Sequence, residues 1–165
     1  MAIEHLVSLD EKDLQILRIL QENSRLSSRQ IAKIVGLSPA TVQARMRRLE
    51  EAKVIRRYTI EIDFDKLGYT LPVLIDVRVS EGRLFEVEEE IAKNPNVIAV
   101  YDVTGEFDVT VLAKFRSRRE LDKFVKELQK MKYVERTYTR LILNIIVERN
   151  GLELASIKNE QGKLP

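Results

Sequence analysis

The sequence predicts an α+β chain: an all-helical N-terminal part, then a strand, helix, strand pattern that occurs twice. Two short helices with complete start and stop signals stand back to back in SSRQIAKIVGLSPATVQARMRRLEEAKVI, Ser27 to Ile55, and the second is studded with arginine. Between Ile75 and Glu148, apolar/polar alternation gives way to helical spacing and returns, two times over. The net charge of +2 hides an asymmetry: from Ser24 to Arg57 the only acids are Glu50 and Glu51, while beyond Asp63 the signs mix evenly.

The helices are justified by their punctuation. A first one begins with Ser8 or Asp10 as N-cap, and Leu14, Ile16, Leu17, Ile19 and Leu20 recur at helical spacing up to Asn23. The second opens with Ser27 as N-cap and Gln30 at the third helical position, a capping box in which each side chain satisfies an orphan N–H of the other. Gly36 ends it, being the residue that most easily turns left-handed. The third opens with Ser38 as N-cap and Pro39, whose missing N–H costs nothing at the first helical position. The tight turn between them is that of a helix-turn-helix, with the first helix as a third wall.

With Val42 turned inward at about 100° per residue, Met46 and Leu49 fall beside it. Ala40, Ala44 and Arg47 then point outward, flanked by Thr41, Gln43 and Arg48. Ser38, Ala40, Thr41 and Ala44 are small enough to let the helix end approach base edges, and the methyl groups of Thr41, Ala40 or Ala44 can meet thymine methyls. Gln43 is matched to adenine and Arg47 to guanine, paired hydrogen bonds worth about 1–3 kcal/mol of discrimination each. Arg29, Lys33, Arg45, Arg48, Lys53, Arg56 and Arg57 are expected on phosphates, which fix position without reading sequence. The competing reading makes Arg45, Arg47 and Arg48 a solvated helix face with Glu50 and Glu51 as ion-pair partners. The doubly capped tandem favours the duplex DNA reading.

Composition narrows the function classes. A chain of 165 residues, 44% hydrophobic and 33% charged, buries one good core or two small ones and does not read as a membrane protein. No long uncharged apolar run or basic-then-apolar leader occurs, so a cytoplasmic location is expected. With no cysteine and His5 as the single histidine, there are no thiolate zinc sites or cysteine nucleophiles, and neither cofactor nor metal is expected.

Tyr58 to Asp63 alternates Tyr58, Ile60 and Ile62 with polar residues and reads as a strand leading out of the helical part, followed by a linker with Gly68. In the second half, Ile75, Val77 and Val79 alternate with Asp76 and Arg78. Leu84, Val87, Glu88 and Ile91 share a helix that Asn94-Pro95-Asn96 terminates, and Val97 to Thr104 is a strand. Then Phe107, Val109, Val111, Ala113 and Phe115 alternate. Ser117 and Glu120 form a capping box ahead of Leu121, Phe124, Val125 and Leu128, and Val134 to Glu148 reads as one long strand. This βαββαβ order describes a ferredoxin-like sandwich. Helices on one face leave the other bare, exposing residues such as Leu112, Leu141, Leu143 and Ile145, which a second copy of the sheet would cover. The expected domains are residues 1–57, a helix-turn-helix of winged-helix type; 58–70, a linker with a strand; 71–150, the sandwich; and 151–165, a tail.

LDEKDLQILRILQENSR, LSPATVQARMRRLEEAKVI, the LGY of Leu67 to Tyr69 and the TGEFD of Thr104 to Asp108, set in that element order, resemble the Lrp/AsnC family of leucine-responsive, or feast/famine, transcription regulators. The resemblance spans Leu9 to about Asn150. It implies a homodimer joined through its sheets, assembly into higher oligomers such as an octamer, and an amino-acid effector bound between dimers. A dimer would present two recognition helices to half-sites one or more helical turns apart.

Two departures from the family pattern are visible. Where the family has glycine before Val-Ile at the recognition helix end, this chain has Lys53. Either a left-handed cap costs the lysine about 1 kcal/mol or the helix ends differently. The family's Gly-Asp-Tyr-Asp is here Gly105-Glu106-Phe107-Asp108, and the longer acid and missing phenol would alter or abolish effector binding. By themselves Gly105 and Glu106 read as a hairpin turn, with Asp108 bonding nearby backbone. In the family context Thr104, Gly105, Glu106, Phe107 and Asp108, facing Arg136, Thr137, Tyr138 and Thr139, resemble the effector site. There Glu106 or Asp108 would take the ammonium group, and backbone N–H groups or Thr104 the carboxylate. Two alternatives stand beside the effector-responsive regulator: an architectural DNA-binding protein without effector, and a haem-pathway decarboxylase subunit, which resembles the same family but whose chemistry wants histidines in the sheet domain.

Overall fold

The computed structural model describes residues 7–149 together with 151, 152 and 154. His5 and most of the 151–165 tail lie outside the described residues. The chain divides into two compact units, residues 1–61 with 149–165, and residues 62–148.

The first unit holds α1 (Glu11–Glu22), α2 (Ser28–Val35) and α3 (Pro39–Glu51). Asp10, rather than Ser8, caps α1, in a reciprocal box with Asp13. Ser27 and Gln30 form the same device on α2, and Gly36 ends it at φ +70°. Ser38 Oγ accepts from the Thr41 N–H at 3.1 Å with Pro39 at the first helical position. At the far end of α3, Lys53 takes φ +56°, its N–H reaches Glu50 O, and the Val54 N–H reaches Leu49 O at 2.9 Å. That is a complete Schellman motif with lysine in the glycine position, so of the two alternatives the left-handed cap is adopted.

Ile16, Leu20, Ile31, Ala32, Val35 and Val42 pack as one cluster, and Leu14, Leu17 and Leu49 as a second, against which Leu154 rests. Fully burying side chains of this size contributes about 1.5–3 kcal/mol each. Among the described residues the unit contains no strand, and the strand expected over Tyr58 to Asp63 does not form. Its alternation is present, but a ladder requires a partner strand, none lies alongside, and Tyr58, Ile60 and Ile62 remain exposed.

The second unit opens with a short 3₁₀ turn (Asp65–Leu67), closed by Gly68 at φ +86°, in the expected linker. It continues as β1 (Leu71–Val79), α4 (Leu84–Ala92), β2 (Val97–Asp102), β3 (Val109–Phe115), α5 (Arg118–Lys130) and β4 (Val134–Leu141). The strands are antiparallel in the order β2-β3-β1-β4, as a ferredoxin-like βαββαβ chain requires. Val73, Ile75 and Val77 of β1 and Val109, Val111, Ala113 and Phe115 of β3 form one core with Val87 and Ile91 of α4 and Phe124 and Leu128 of α5. The rings of Phe115 and Phe124 meet at 5.4 Å.

Three strand expectations change. β4 stops at Leu141 instead of Glu148: Leu141 pairs with Val73, Ile142 bonds Pro72 O, and β1 begins one residue further back, at Leu71, so no partner remains for the rest of the expected strand. β2 ends at Asp102, and Phe107 lies in the loop rather than in β3. Since Leu141 stands opposite the core residue Val73, it belongs to the helix side; Leu112, opposite Leu74, does face the bare side.

Candidate nucleic-acid interface and effector loop

The exposed surface of α3 follows from its caps and its buried stripe. Val42 and Leu49 are fully buried, which leaves Ala40, Thr41, Gln43, Ala44 and Arg47 exposed, with Ser38 and Pro39 at the exposed N-terminal end. The Ser38 and Thr41 hydroxyls are 2.8 Å apart and occupied with capping. Arg29 and Lys33 are exposed on α2, and Lys53, Arg56 and Arg57 are exposed beyond α3. Among the described residues none of these five, nor Arg47, enters an ion pair.

Arg45 and Arg48 behave differently from the phosphate contacts expected of them. Arg45 Nη1 lies 2.8 Å from Asp13 Oδ1 and 2.6 Å from Asp10 Oδ2, and Arg48 Nη2 donates to Asp13 Oδ2. The Asp13 side chain is fully buried; those of Arg45 and Arg48 are 26% and 54% exposed. Hydrogen bonds that it donates to the Asp10 and Asp13 carboxylates hold the Arg45 guanidinium above its usual pKa. Partial burial pushes the Asp10 carboxyl up, but Arg45 and the Asp13 amide together carry it below its ordinary value. The ion-pair partners expected from neighbouring sequence were Glu50 and Glu51. Glu50 instead accepts from the Tyr58 hydroxyl at 2.7 Å, and burial followed by that carboxylate pushes Tyr58 up to about 12.

In the second unit, the β2–β3 loop runs from Val103 to Asp108, with Gly105 at φ +130° and the Val103 N–H on Asp108 O at 2.9 Å. Asp108 Oδ2 accepts the Val79 N–H at 2.8 Å, and Arg78 Nε is 3.6 Å from it; Arg78 also donates to Glu106 O. Arg136 Nη1 is 3.7 Å from Glu106 Oε1, and the rings of Phe107 and Tyr138 stack at 6.3 Å. Of the expected loop residues, Glu106 therefore meets Arg136 and Phe107 meets Tyr138. Thr137 and Thr139 do not join them: they pair with Val77 and Ile75 and lie on the helix side, where Gln129 donates to Thr137 Oγ1. Thr104 is exposed at the loop's start. Arg78 was missed by sequence reasoning, although its parity on β1 placed it on the bare face. It stands directly opposite Arg136, a like-charged pair that costs stability unless acids intervene, as Glu106 and Asp108 do.

Residues 9–56 match a winged helix-turn-helix DNA-binding model, and residues 72–152 match the Lrp/AsnC ligand binding domain. The chain belongs to the Lrp/AsnC family of transcription regulators. An uncharacterized HTH-type transcriptional regulator of Pyrococcus furiosus is 40% identical over 89% of this chain and 99% of its own length. The HTH-type transcriptional regulator FL11 of Pyrococcus horikoshii is 36% identical over 90% of this chain and 98% of its own length. A Neisseria meningitidis transcriptional regulator crystallised in complex with L-Met superposes with a TM-score of 0.83 at 28% identity, covering 89% of this chain and 97% of that one. This Lrp/AsnC protein is thus a DNA-binding transcription regulator, with α2 and α3 as the helix-turn-helix of its first unit. No helix among its described residues is long and apolar enough to cross a membrane.

Proposed function

We propose that this Lrp/AsnC regulator reads duplex DNA with the exposed N-terminal half of α3 and adjusts that binding to an amino acid held beside the β2–β3 loop. The observation that supports the DNA half most directly is the exposure of Gln43 and Arg47 on a helix whose other side is closed by Val42 and Leu49. Gln43 and Arg47 read base edges, and Ser38, Ala40, Thr41 and Ala44 permit close approach. Arg29, Lys33, Arg56 and Arg57 hold phosphates. Residues 1–57 serve as the DNA-binding domain and 71–150 as the effector and assembly domain. The bare sheet face carries Leu74 and Leu112 into a homodimer, and dimers assemble further, up to an octamer, in the cytoplasm. The protein acts by binding, as a regulator and not as a catalyst.

The effector half rests on the loop's position beside Arg78, Arg136 and Tyr138 and on the structural likeness to a regulator solved with L-Met. A second reading, regulation without effector, is favoured by one observation: Glu106 and Asp108, the acids available to a ligand's ammonium group, already face Arg136 and Arg78. A thermal-shift screen of the twenty amino acids, followed by binding to the gene's own upstream DNA with and without any hit, separates the two. A ligand that shifts both melting and DNA binding supports the effector reading. Sequence-selective DNA binding with no hit supports the second.

A further inference from the structure

The helix that faces DNA carries three arginines in four positions, and the structure treats them unequally. Arg47 is exposed and enters no ion pair among the described residues, while Arg45 and Arg48 turn toward the start of α1. There Asp13 is held in place before any arginine arrives: its N–H donates to Asp10 Oδ1 at 2.8 Å, and its own Oδ2 accepts the Asp10 N–H at 3.1 Å. Asp13 accepts from both guanidinium groups, and Asp10 accepts a second bond from Arg45.

We infer that Asp13, with Asp10 behind it, is a specificity-setting charge lock on the recognition helix, cancelling Arg45 and Arg48 so that Arg47 is the one cation of that arginine cluster that DNA phosphates and bases meet. The inference rests on the reading of α3 as the DNA-facing helix. Its physical basis is that non-specific affinity is a count of phosphates neutralised, each adding about 0.9 to the salt slope, whereas base reading is a matter of geometry. An arginine whose charge is already balanced by a fully buried carboxylate releases few counterions when a phosphate comes near. The lock therefore lowers the affinity for any DNA more than for the right DNA. It also fixes the rotation of α3 about its axis, because two side chains six or fewer positions from Gln43 and Arg47 are pinned to the same carboxylate.

The test measures binding of the full chain to a random-sequence duplex between 50 and 200 mM salt (about the range over which phosphate contacts dominate) for the parent, Arg47→Gln, Arg48→Gln and Asp13→Asn. On a random-sequence duplex, where Arg47 has no cognate guanine to read and its unpaired charge meets phosphate, the expected result is a slope shallower by about 1 for each bound helix in Arg47→Gln and an unchanged slope in Arg48→Gln. Because Asp10 still balances Arg45, Asp13→Asn should be steeper by about 1 for each bound helix, so that its affinity falls about 3- to 4-fold more than the parent's per helix across the range. A merely structural Asp13 would weaken binding without steepening the slope. Arg48 is more than half exposed, so Arg48→Gln keeps the test decisive should Asp13→Asn fail to fold. An Arg48→Gln slope that falls as far as that of Arg47→Gln overturns the lock. An Arg47→Gln slope equal to the parent's overturns instead the assignment of Arg47 to the DNA face.

Discussion

Replacing Lys53 with glycine should leave α3 more stable than replacing it with alanine. Lys53 sits at φ +56° in the closing turn of α3, where the Val54 N–H bonds Leu49 O. A Cβ in the left-handed region costs about 1–2 kcal/mol. Glycine removes that cost but gives back about 0.4–1 kcal/mol because its unfolded chain is freer. The net gain of glycine over alanine is then about 0.5–1 kcal/mol. Comparing Lys53→Gly with Lys53→Ala, rather than with the parent, cancels the loss of a positive charge at a helix C-terminus, itself worth about 0.3–1 kcal/mol. The readout is amide hydrogen exchange along α3 in the full chain, which follows the opening of that helix whatever the other unit does. Protection should be about 2- to 5-fold greater in the glycine variant, at about 1.36 kcal/mol per tenfold. Equal protection in the two variants would refute the strain, and with it the idea that this chain tolerates a lysine where glycine is easier.

Arg140→Ala should destabilise the sheet unit more than Asp76→Ala in urea denaturation followed by circular dichroism. Asp76 is the buried member of that pair, its side chain 10% exposed against 50%, and without Arg140 its charge keeps, among the described residues, only the Thr110 hydroxyl as side-chain partner. Asp10 has its carboxyl held below the ordinary value despite partial burial, so its contribution is present above about pH 4 and is lost as pH falls through the lower folded value. The stability gap between the parent and Asp10→Asn should accordingly close on acidification; a gap that widens would contradict the pairing with Arg45. Glu88 has the opposite sign: burial, then Asp102, raises its carboxyl, so its charge opposes folding near neutrality. Glu88→Gln should melt higher than the parent at pH 7, with the difference shrinking toward acid, as measured by calorimetry.

What could be read from the sequence was what is settled within a few residues. The caps on α2 and α3 are local bargains between a side chain and N–H groups three positions away, and Ser27, Gln30, Ser38, Pro39 and Gly36 stand where their chemistry placed them. The βαββαβ order was legible for the same reason, since the period changes from two to 3.6 and back within each segment (about 3.6 residues per helical turn). Strand ends were not. Tyr58 to Asp63 has the alternation of a strand and lacks a neighbour, and most of the stretch between Leu141 and Glu148 runs past the start of β1 at Leu71. The effector-loop partners show a subtler failure: taking Arg136 to Thr139 as one run ignored parity, which sends Thr137 and Thr139 to the other face and brings in Arg78.

The charge of the helical unit makes a related point about function. Counted along the chain, the stretch from Ser24 to Arg57 is strongly basic, which invites the conclusion that all of its arginines serve DNA. Counted in space, the acids that oppose Arg45 and Arg48 come from Asp10 and Asp13, outside that stretch and more than thirty positions away. A charge inventory by sequence window therefore overstates the field at the recognition helix by two of the three arginines on α3. Electrostatic attraction to any duplex is weak in information and strong in energy, so a regulator that must find one site among many gains by keeping such charge in check. Under the proposed reading, basicity still brings this protein to DNA through Arg29, Lys33, Arg56 and Arg57, which are exposed. Discrimination is left, on that reading, to a short exposed stretch around Gln43 and Arg47, where one misplaced charge would count most.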